Sequence, residues 1–351
     1  MSDAITPGPE TESLPEYTDG VRKGVSITWY RSPLPPGAMK MLQTRSDIKG
    51  AIQTLGCLGL LICTAALALY SFGHWPWWIT LIAVFLHGTV GSFGIDAVHE
   101  LGHGTVFKTK WLNVFFCRVF AFLGMINHEM FQASHTRHHR YTLHPPDDLE
   151  VVLPMRFMLK QFLRAGFVNK DYCWCSFHET WRVAHGRFMG PWEATLYPEG
   201  QPELRAAQIQ WARFLLVGHA TVLVVSLIMG WWLLPILVSL SNFYGGALFF
   251  FCNNTQHIGL QDKIGDFRLC CRTFTVNPLV RFLYWQMNYH IEHHMYAAVP
   301  CYNLKKLHKL IETDLPPTPH GLIATWKEIY DIQLRQEMDP SYQHQAPVPH
   351  R

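Results

Sequence analysis

The residues with the clearest capacity for chemistry are histidines, of which this chain of 351 residues has twenty. Eight of them fall into three short motifs: His99-Glu-Leu-Gly-His103, His135-Thr-Arg-His138-His139 and His290-Ile-Glu-His293-His294. Because residues three or four apart share one face of a helix, each motif can direct several imidazoles to one place. Imidazole is a good ligand for iron, copper, zinc and nickel. The motifs therefore predict a metal site.

Eight imidazoles are too many for one ion with four to six ligands, so the motifs predict two ions. Consecutive helical residues diverge by about 100°, so the pairs His138-His139 and His293-His294 can each serve two neighbouring ions. The first motif also matches the zinc metalloprotease pattern H-E-x-x-H, in which the glutamate is a general base. That alternative is disfavoured, because a single zinc ion would leave the other two motifs without a role.

Four apolar segments approach the length of about 20 residues that a helix needs to cross a bilayer: 51–72, 75–95, 212–229 and 231–252. Short, uncharged, tryptophan-rich turns join them into two hairpins, as is typical of a membrane interface. Only 16% of the chain is charged, against about 25% in a typical soluble domain. The sequence predicts an all-α integral membrane protein with four transmembrane helices in two hairpins and a cytoplasmic helical cap carrying the histidines.

Positive charges lie at the ends of these segments that are away from the neutral turns: Lys40, Arg45, Lys49, Lys108, Lys110, Lys263, Arg268 and Arg272. The positive-inside bias then places both termini and segments 96–211 and 253–325 in the cytoplasm, with all three histidine motifs on one face of the membrane. Segment 111–126 is short and contains Arg118, which favours an interfacial or re-entrant helix. Residues 1–44 are expected to be disordered or interfacial, 45–325 to form the membrane domain, and 326–351 to form a cytoplasmic tail.

Carboxylates near the motifs are candidates to orient the ligands, because a metal-bound imidazole generally donates its other N–H to a carboxylate or carbonyl. They are Asp96, Glu100 and Glu292, with Asp147, Asp148 and Glu129 as further candidates. Solvated surface carboxylates are the alternative interpretation.

Other reactive residue types have simpler interpretations. His87 and His219 lie inside predicted spans, far from the motifs, and are expected to be buried and hydrogen-bonded. The pairs Cys173 with Cys175 and Cys270 with Cys271 could form metal or redox sites, but reduced thiols in a reducing compartment are favoured. A net charge of +3 is too weak to indicate nucleic-acid binding.

The three motifs and their alternation with the paired spans resemble the membrane fatty acid desaturase and hydroxylase superfamily, over roughly residues 45–325. The resemblance implies two irons held by nine histidines: His99, His103, His135, His138, His139, His257, His290, His293 and His294. It also implies that Asn253, in the family's Asn-x-x-x-His spacing with His257, holds a water on the metal. The stretch from Asn288 to Tyr296, followed by Val299-Pro300 and Leu304, is similar to bacterial-type desaturases and ring or alkyl hydroxylases.

The chain also departs from parts of this superfamily. The first motif has three residues between its histidines, where acyl-CoA desaturases have four, and the third begins with His rather than the Gln of front-end desaturases. The sequence lacks the His-Pro-Gly-Gly of a fused haem cytochrome domain. The expected electron donor is therefore a separate partner, either a haem cytochrome or a ferredoxin with its reductase.

The expected function is an O2-dependent di-iron oxidoreductase that desaturates a fatty acyl or other long lipophilic substrate. A di-iron hydroxylase or monooxygenase of an alkyl, terpenoid or other small lipophilic substrate is the alternative. A histidine-rich metal transporter is a distant third, because transporter ligands lie within the spans. The chain is expected to be a multi-pass membrane protein, surrounded by membrane lipid, in the endoplasmic reticulum of a eukaryote or the inner membrane of a bacterium.

Overall fold

A computed structural model describes residues 17–18, 21–22 and 26–349. Within these residues the predicted helical character is confirmed, apart from a short antiparallel pair formed by β1 (Tyr17–Thr18) and β2 (Val21–Arg22). The α-helices are α1 Ala38–Leu42, α2 Asp47–Ser71, α3 Trp77–Gly91, α4 Gly94–Gly102, α5 Lys110–Leu123, α6 His128–Tyr141, α7 Leu159–Gly166, α8 Lys170–Ala184, α9 Gly190–Leu196, α10 Pro202–Met229, α11 Leu234–Ser239, α12 Ala247–Asn253, α13 Phe267–Cys270, α14 Pro278–Leu283, α15 His290–Met295, α16 Cys301–Ile311 and α17 Gly321–Met338. Two 3₁₀ turns cover Ser241–Phe243 and Glu312–Asp314.

Three helical segments of the described chain are long and apolar enough to cross a membrane. They are α2, the nearly continuous α3 and α4 (Trp77–Gly102), and α10. The side chain of Ser46 caps α2 by accepting the backbone N–H of Lys49 at 3.4 Å. At its far end, α10 stops at Gly230, whose φ of 69° is left-handed. These segments overlap the first three predicted spans.

The fourth predicted span, 231–252, is not one helix in the structure. It is divided into α11, a 3₁₀ turn and α12. Gly245 in the break has φ +69°, and a Cβ there would come within 2.5 Å of the Phe85 carbonyl oxygen of α3. The amide of Asn242 donates to the Gly124 carbonyl at 3.0 Å. The helix breaks here because the backbone packs closely against α3 and because a polar side chain turns back to a neighbouring element.

Helices α5 and α6 form a pair bent by 110°, which is either a broken span or a re-entrant loop by length and composition. The bend contains Met125 with φ +54°, and the Asn127 side chain caps α6 by accepting the Met130 N–H at 3.4 Å. Segment 111–126, expected to be interfacial or re-entrant, is thus α5 and the bend that delivers the second histidine motif on α6.

Helices α7 and α8 are joined by a short turn, 167–169, that packs beside the spans. The Gly245 N–H donates to the Phe167 carbonyl at 2.9 Å, and the Asn169 N–H donates to the Phe243 carbonyl at 2.8 Å. The Phe167 ring lies 6.0 Å from that of Phe85, in the middle of α3. The turn thus joins segment 96–211, which was expected to be cytoplasmic, to α3 and to the break at 241–246. The cytoplasmic placement of this segment stays a prediction.

The boundary predicted at residue 325 lies within α17, whose Ile329 and Ile332 are buried. The division of the chain into a membrane domain and a C-terminal tail stays a prediction. Most of the first 25 residues of the predicted N-terminal segment, and the last two of the chain, lie outside the described residues.

Two arginines used to predict membrane orientation have structural partners. Arg268 is buried in ion pairs with Asp266 and Asp314, each at 2.9 Å. Arg272 is also buried and bonds Glu328 at 3.1 Å. These two charges therefore stabilise the packed domain instead of facing lipid head groups.

Candidate metal centre

The structure brings the nine histidines together in two groups of ligand atoms. A five-histidine group and a four-histidine group each hold their nitrogens within 4.8 Å of one another. The five-histidine group is His99, His103, His135, His139 and His293, and the four-histidine group is His138, His257, His290 and His294. Two opposite ligands of an ion at about 2.1 Å are separated by about 4.2 Å, so each group has the dimensions of one coordination sphere.

Helix geometry explains how adjacent residues come to lie in different groups. His138 and His139 are consecutive on α6, and His293 and His294 are consecutive on α15. Since neighbouring side chains diverge by about 100°, one member of each pair enters the five-histidine group and the other enters the four-histidine group. Both groups thus draw ligands from α6 and α15, and they lie side by side, with the rings of His139 and His294 stacked at a centroid distance of 4.3 Å.

The short α15 is held by the chain that precedes it. The Thr273 hydroxyl oxygen accepts the Ile291 N–H at 3.2 Å, and the Asn288 amide donates to the Phe274 carbonyl at 2.8 Å. A single β-bridge joins Thr273 to Tyr289. A helix of six residues would be marginal alone, so these contacts place the third histidine motif.

Facing nitrogens show that the groups fit metal ions. Nε2 of His139 lies 2.9 Å from that of His135 and 3.1 Å from that of His293. Nε2 of His290 lies 3.0 Å from that of His257 and 3.1 Å from that of His294. Two nitrogens bound at right angles to one ion at about 2.1 Å are separated by about 3.0 Å. Each group therefore matches the spacing of neighbouring ligands on a metal.

The opposite ring nitrogens fix which nitrogen carries the proton. Nδ1 of His135 lies 2.7 Å from a Glu150 oxygen, and Nδ1 of His138 lies 2.8 Å from an Asp148 oxygen. Nδ1–H of His257 donates to the Cys270 carbonyl at 2.8 Å. With the proton held on Nδ1, the lone pair of Nε2 faces the centre, as a metal ligand requires.

Burial favours the neutral form of most of these imidazoles. The pKa of His257 is lowered to about 3, mainly by burial and also by the neighbouring His138, while the Cys270 carbonyl opposes both effects. His138 is the exception, because burial is outweighed by its bond to the Asp148 carboxylate, which raises its pKa. Burial also holds the pKa values of His290, His293 and His294 well below the ordinary value, with repulsion from the other imidazoles adding to it. Neutral rings can bind a cation without first losing a proton.

The model of the family described as fatty acid desaturase matches residues 73–326, which is most of the chain and includes all nine histidines. The chain belongs to the fatty acid desaturase family. Membership makes it an oxidoreductase in a membrane context, consistent with the candidate spans. Comparison with curated proteins found no match.

Among the carboxylates predicted to orient the ligands of this desaturase family member, two contact the histidines. Glu100 has an oxygen 3.2 Å from Nδ1 of both His99 and His293. Asp148 contacts His138 and also accepts the backbone N–H groups of Leu143 and Glu150, at 2.8 and 2.9 Å. Glu100 therefore links the first and third motifs.

Three other predicted carboxylates lie elsewhere. Glu292 accepts a hydrogen bond from Thr273 at 2.5 Å and contacts His308 instead of a motif histidine. One carboxylate oxygen of Asp96 is buried without a hydrogen-bond partner in the described chain. Glu129 lies 3.8 Å from His128, which is outside both groups.

Sequence reasoning missed Glu150, which accepts from Ser134 at 2.6 Å and contacts His135. It also missed Thr142, whose hydroxyl lies 3.2 Å from Nδ1 of His294. The available signal was the acidic stretch Asp147-Asp148-Leu-Glu150 directly after the second motif. Asp147 in that stretch pairs with Arg137 at 3.6 Å.

The other residues singled out in the sequence are two histidines of the predicted spans, Asn253 and the cysteine pairs. His87 is buried and its Nε2–H donates to the Leu237 carbonyl at 2.8 Å, while His219 donates to the Phe122 carbonyl at 3.1 Å, so both are confirmed as buried, hydrogen-bonded residues. The half-buried Asn253 ends α12, four residues before His257. All nine cysteines are free, and neither cysteine pair joins a candidate metal group among the described residues.

Proposed function

We propose that this chain is an O2-dependent di-iron oxidoreductase that desaturates a fatty acyl or other long lipophilic substrate. The nine histidines hold the two irons, one per group, and Asn253 contributes through a water. The observation that carries the proposal is the division of the nine imidazoles into two compact sets with facing Nε2 atoms.

When bound, two histidine-held irons would supply the capacity to reduce dioxygen and to take hydrogen from an unactivated C–H bond. The protein's part is to hold and orient. Glu150, Asp148 and the Cys270 carbonyl keep the Nδ1 protons in place, so that the ring positions are fixed before any ion binds.

The surroundings of the centre suit a reactive site. Helices α4, α6 and α15 bring buried side chains around it, and His138, His290 and His293 are each at most 2% exposed. The Phe131 ring stacks on that of His135 with centroids 5.3 Å apart. Such packing limits the access of water, which protects a strong oxidant from side reactions.

The proposal includes a topology and partners. The histidine face and both termini lie in the cytoplasm, in the endoplasmic reticulum of a eukaryote or the inner membrane of a bacterium. Electrons come from a separate haem cytochrome, or from a ferredoxin with its reductase. The positive-inside distribution of Lys40, Arg45, Lys49, Lys108 and Lys110 supports this orientation.

Expression of the full chain in a host lacking such activity, with lipid and small-metabolite profiling, tests the reaction. A product lighter than its substrate by two hydrogens is expected. A product heavier by one oxygen would instead identify a hydroxylase. Metal analysis of the purified protein is the second measurement, with two irons per chain expected. A content of zinc alone, with no oxidised product, would contradict the proposal and favour metal transport.

A further inference from the structure

A cavity of about 350 Å³ lies between α6, α8 and α9, and its lining includes Phe131 and Glu150, which contact His135 of the five-histidine group. Two of its lining residues, Ile95 and Phe131, each precede a motif histidine by four positions: His99 and His135. Residues at i and i+4 lie on the same helix face one turn apart, about 5.4 Å along the axis. The inner wall of the cavity is therefore one helical turn from two of the five histidines.

The side chains of this wall are the same ones that position His135. Phe131 stacks on the His135 ring, and Glu150 bonds both His135 and Ser134. The indole N–H of Trp192, on the far side of the cavity, donates to the Ser134 hydroxyl at 3.3 Å. A molecule in the cavity would thus contact the residues that hold a candidate ligand.

One face of α8 forms the length of the cavity. Tyr172, Ser176, Thr180 and Val183 line it at helical spacing. At the Tyr172 end, the ring packs 5.3 Å from that of Phe243, in the break between α11 and α12. The cavity therefore runs from apolar surroundings beside the spans towards the polar residues of α9, which is the shape that an elongated amphipathic molecule needs.

The charges along this cavity are acidic. Its lining includes Glu150, Glu179 and Glu193, and within the described chain it includes neither lysine nor arginine. Glu193 is paired with Arg182, whose guanidinium donates to it at 2.7 Å. Glu179 makes no hydrogen bond to any described residue, and its side chain is exposed. A second cavity is lined by His103 itself and is mainly basic, with Arg45, Lys110 and Arg118 against the one carboxylate of Glu129 in its described lining.

We propose that the cavity between α6, α8 and α9 binds the substrate, and that the substrate's polar end is an uncharged hydrogen-bond donor such as a hydroxyl. This rests on the proposed function for its site of reaction. A hydroxyl can donate to the Glu179 carboxylate, which is otherwise unbonded. A carboxylate or phosphate would face Glu150, Glu179 and Glu193. The guanidinium beside the cavity, that of Arg182, is already bonded to Glu193. A further anion would lack a cation of its own among the described lining residues, and an unpaired charge is costly to take out of water.

The test is equilibrium binding of two probes to the full chain in nanodiscs at pH 8, namely tritiated 1-decanol and tritiated decanoate. The two have the same chain length and differ in the charge of the head group. We expect 1-decanol to bind at least tenfold more tightly. Equal binding, or tighter binding of decanoate, would overturn the proposal.

Two pairs of matched variants locate the binding. Thr180 is 5% exposed and lines the cavity, so Thr180→Trp should fill it and weaken 1-decanol binding at least tenfold. As its control, Thr221→Trp, at an exposed position on α10, should change the affinity for 1-decanol less than twofold. Glu179→Arg should reverse the preference in favour of decanoate, whereas Glu203→Arg, an exposed change on α10, should not. An unchanged preference in Glu179→Arg would contradict the proposal even if Thr180→Trp fails to fold.

The two proposals fail in different ways. Binding is measured whether or not the protein turns over a substrate, and iron content reports the metal centre separately. Two irons and an oxidised product, together with 1-decanol binding that Thr180→Trp leaves unchanged, would overturn the cavity assignment alone. Absence of iron with the expected binding pattern would overturn the proposed function and leave the cavity as a ligand site.

Discussion

The five-histidine and four-histidine groups share two helices but differ in their surroundings. All four members of the four-histidine group are buried, whereas His103 and His139 of the five-histidine group are half-buried. The five-histidine group has two carboxylates beside it, Glu100 and Glu150, and Glu150 also lines the acidic cavity. The four-histidine group has Asp148, with the Cys270 carbonyl and the Thr142 hydroxyl as its other partners.

We interpret this contrast as a division between the group that a substrate can approach and the group that holds its ion more firmly. A buried ion with few charges near it exchanges slowly, because its ligands cannot easily reach water. An ion next to a cavity is the one that a substrate can approach. We therefore expect the five-histidine group to lie on the substrate side and the four-histidine group to act as the more firmly held partner.

The largest expected effect follows from removing one ligand from each group. His139→Ala and His294→Ala should each lower turnover more than about 100-fold, because losing a ligand costs more than losing one of its supporting partners. Each variant should also lose about one iron per chain, measured by metal analysis. His320→Ala, at an exposed histidine outside both groups, is the control. Retained activity in both ligand variants would overturn the site assignment.

Removing the more deeply buried of the supporting carboxylates should cost more metal affinity. Asp148 is fully buried with three hydrogen-bond partners, while the Glu150 side chain is 22% exposed. Removing such a partner typically costs 10- to 100-fold in metal affinity. Asp148→Asn should lower the metal affinity by about 100-fold, near the upper end of this range, and Glu150→Gln should lower it by about 10-fold. Competition with a chelator measures both affinities. The exposed Asp331→Asn serves as the control, and a larger loss in Glu150→Gln would reverse the comparison.

Acid should destabilise the metal-free protein. The pKa of His257 is lowered by burial to about 3, while the unfolded chain takes up this proton near pH 6.5. The stabilising contribution is therefore complete above pH 6.5 and is lost as the pH falls towards 3, by up to about 1.4 kcal/mol per pH unit for each such histidine. Thermal melts of chelator-treated protein at pH 7.5 and 5.5 measure it.

A matched variant isolates the contribution of this histidine. His257→Gln should make the melting temperature less sensitive to pH than in the unmodified chain, because one protonation site is removed. His308 has the opposite sign: burial lowers its pKa, but its bond to Glu292 raises the pKa overall, so its contribution is lost as the pH rises. Metal-free protein that becomes more stable on acidification would contradict the first prediction.

The smallest expected effect is kinetic. A chelator should remove the ion of the five-histidine group a few-fold faster than the other, because half-buried His103 and His139 offer a route to solvent. Mössbauer spectra of protein loaded with ⁵⁷Fe, recorded during chelation, would follow the two sites. A single phase, or earlier loss from the four-histidine group, would remove the distinction between the groups.

The parts of this structure that follow from local geometry could be predicted from the sequence. The i, i+4 spacing accounts for the grouping of His135 with His139 and of His290 with His294, and the division of His138 from His139 follows from helical rotation. The i, i+3 pairs, such as His135 and His138, fall in different groups. Three long apolar stretches became the helices α2, α3 with α4, and α10, because hydropathy measures a property of each segment by itself.

What could not be predicted depends on contacts between distant segments. The break at 241–246 forms where Gly88 and Gly245 let two backbones approach, and a Cβ on Gly88 would come within 2.3 Å of the Tyr244 ring. Hydropathy treats the same residues as one apolar run. Glu150 lies in a loop without periodicity, so nothing in its spacing connects it to His135. Likewise, the ion pair of Arg268 with the distant Asp314 gives no local signal.

The turn between α7 and α8 has a consequence for the order of assembly. Its backbone bonds Phe243 and Gly245, which are synthesised after both helices. The charged side chains of Arg164 and Asp171 lie beside this turn and pair with each other at 3.2 Å. The two helices can therefore reach their final position against the break only after the chain through Gly245 has been made.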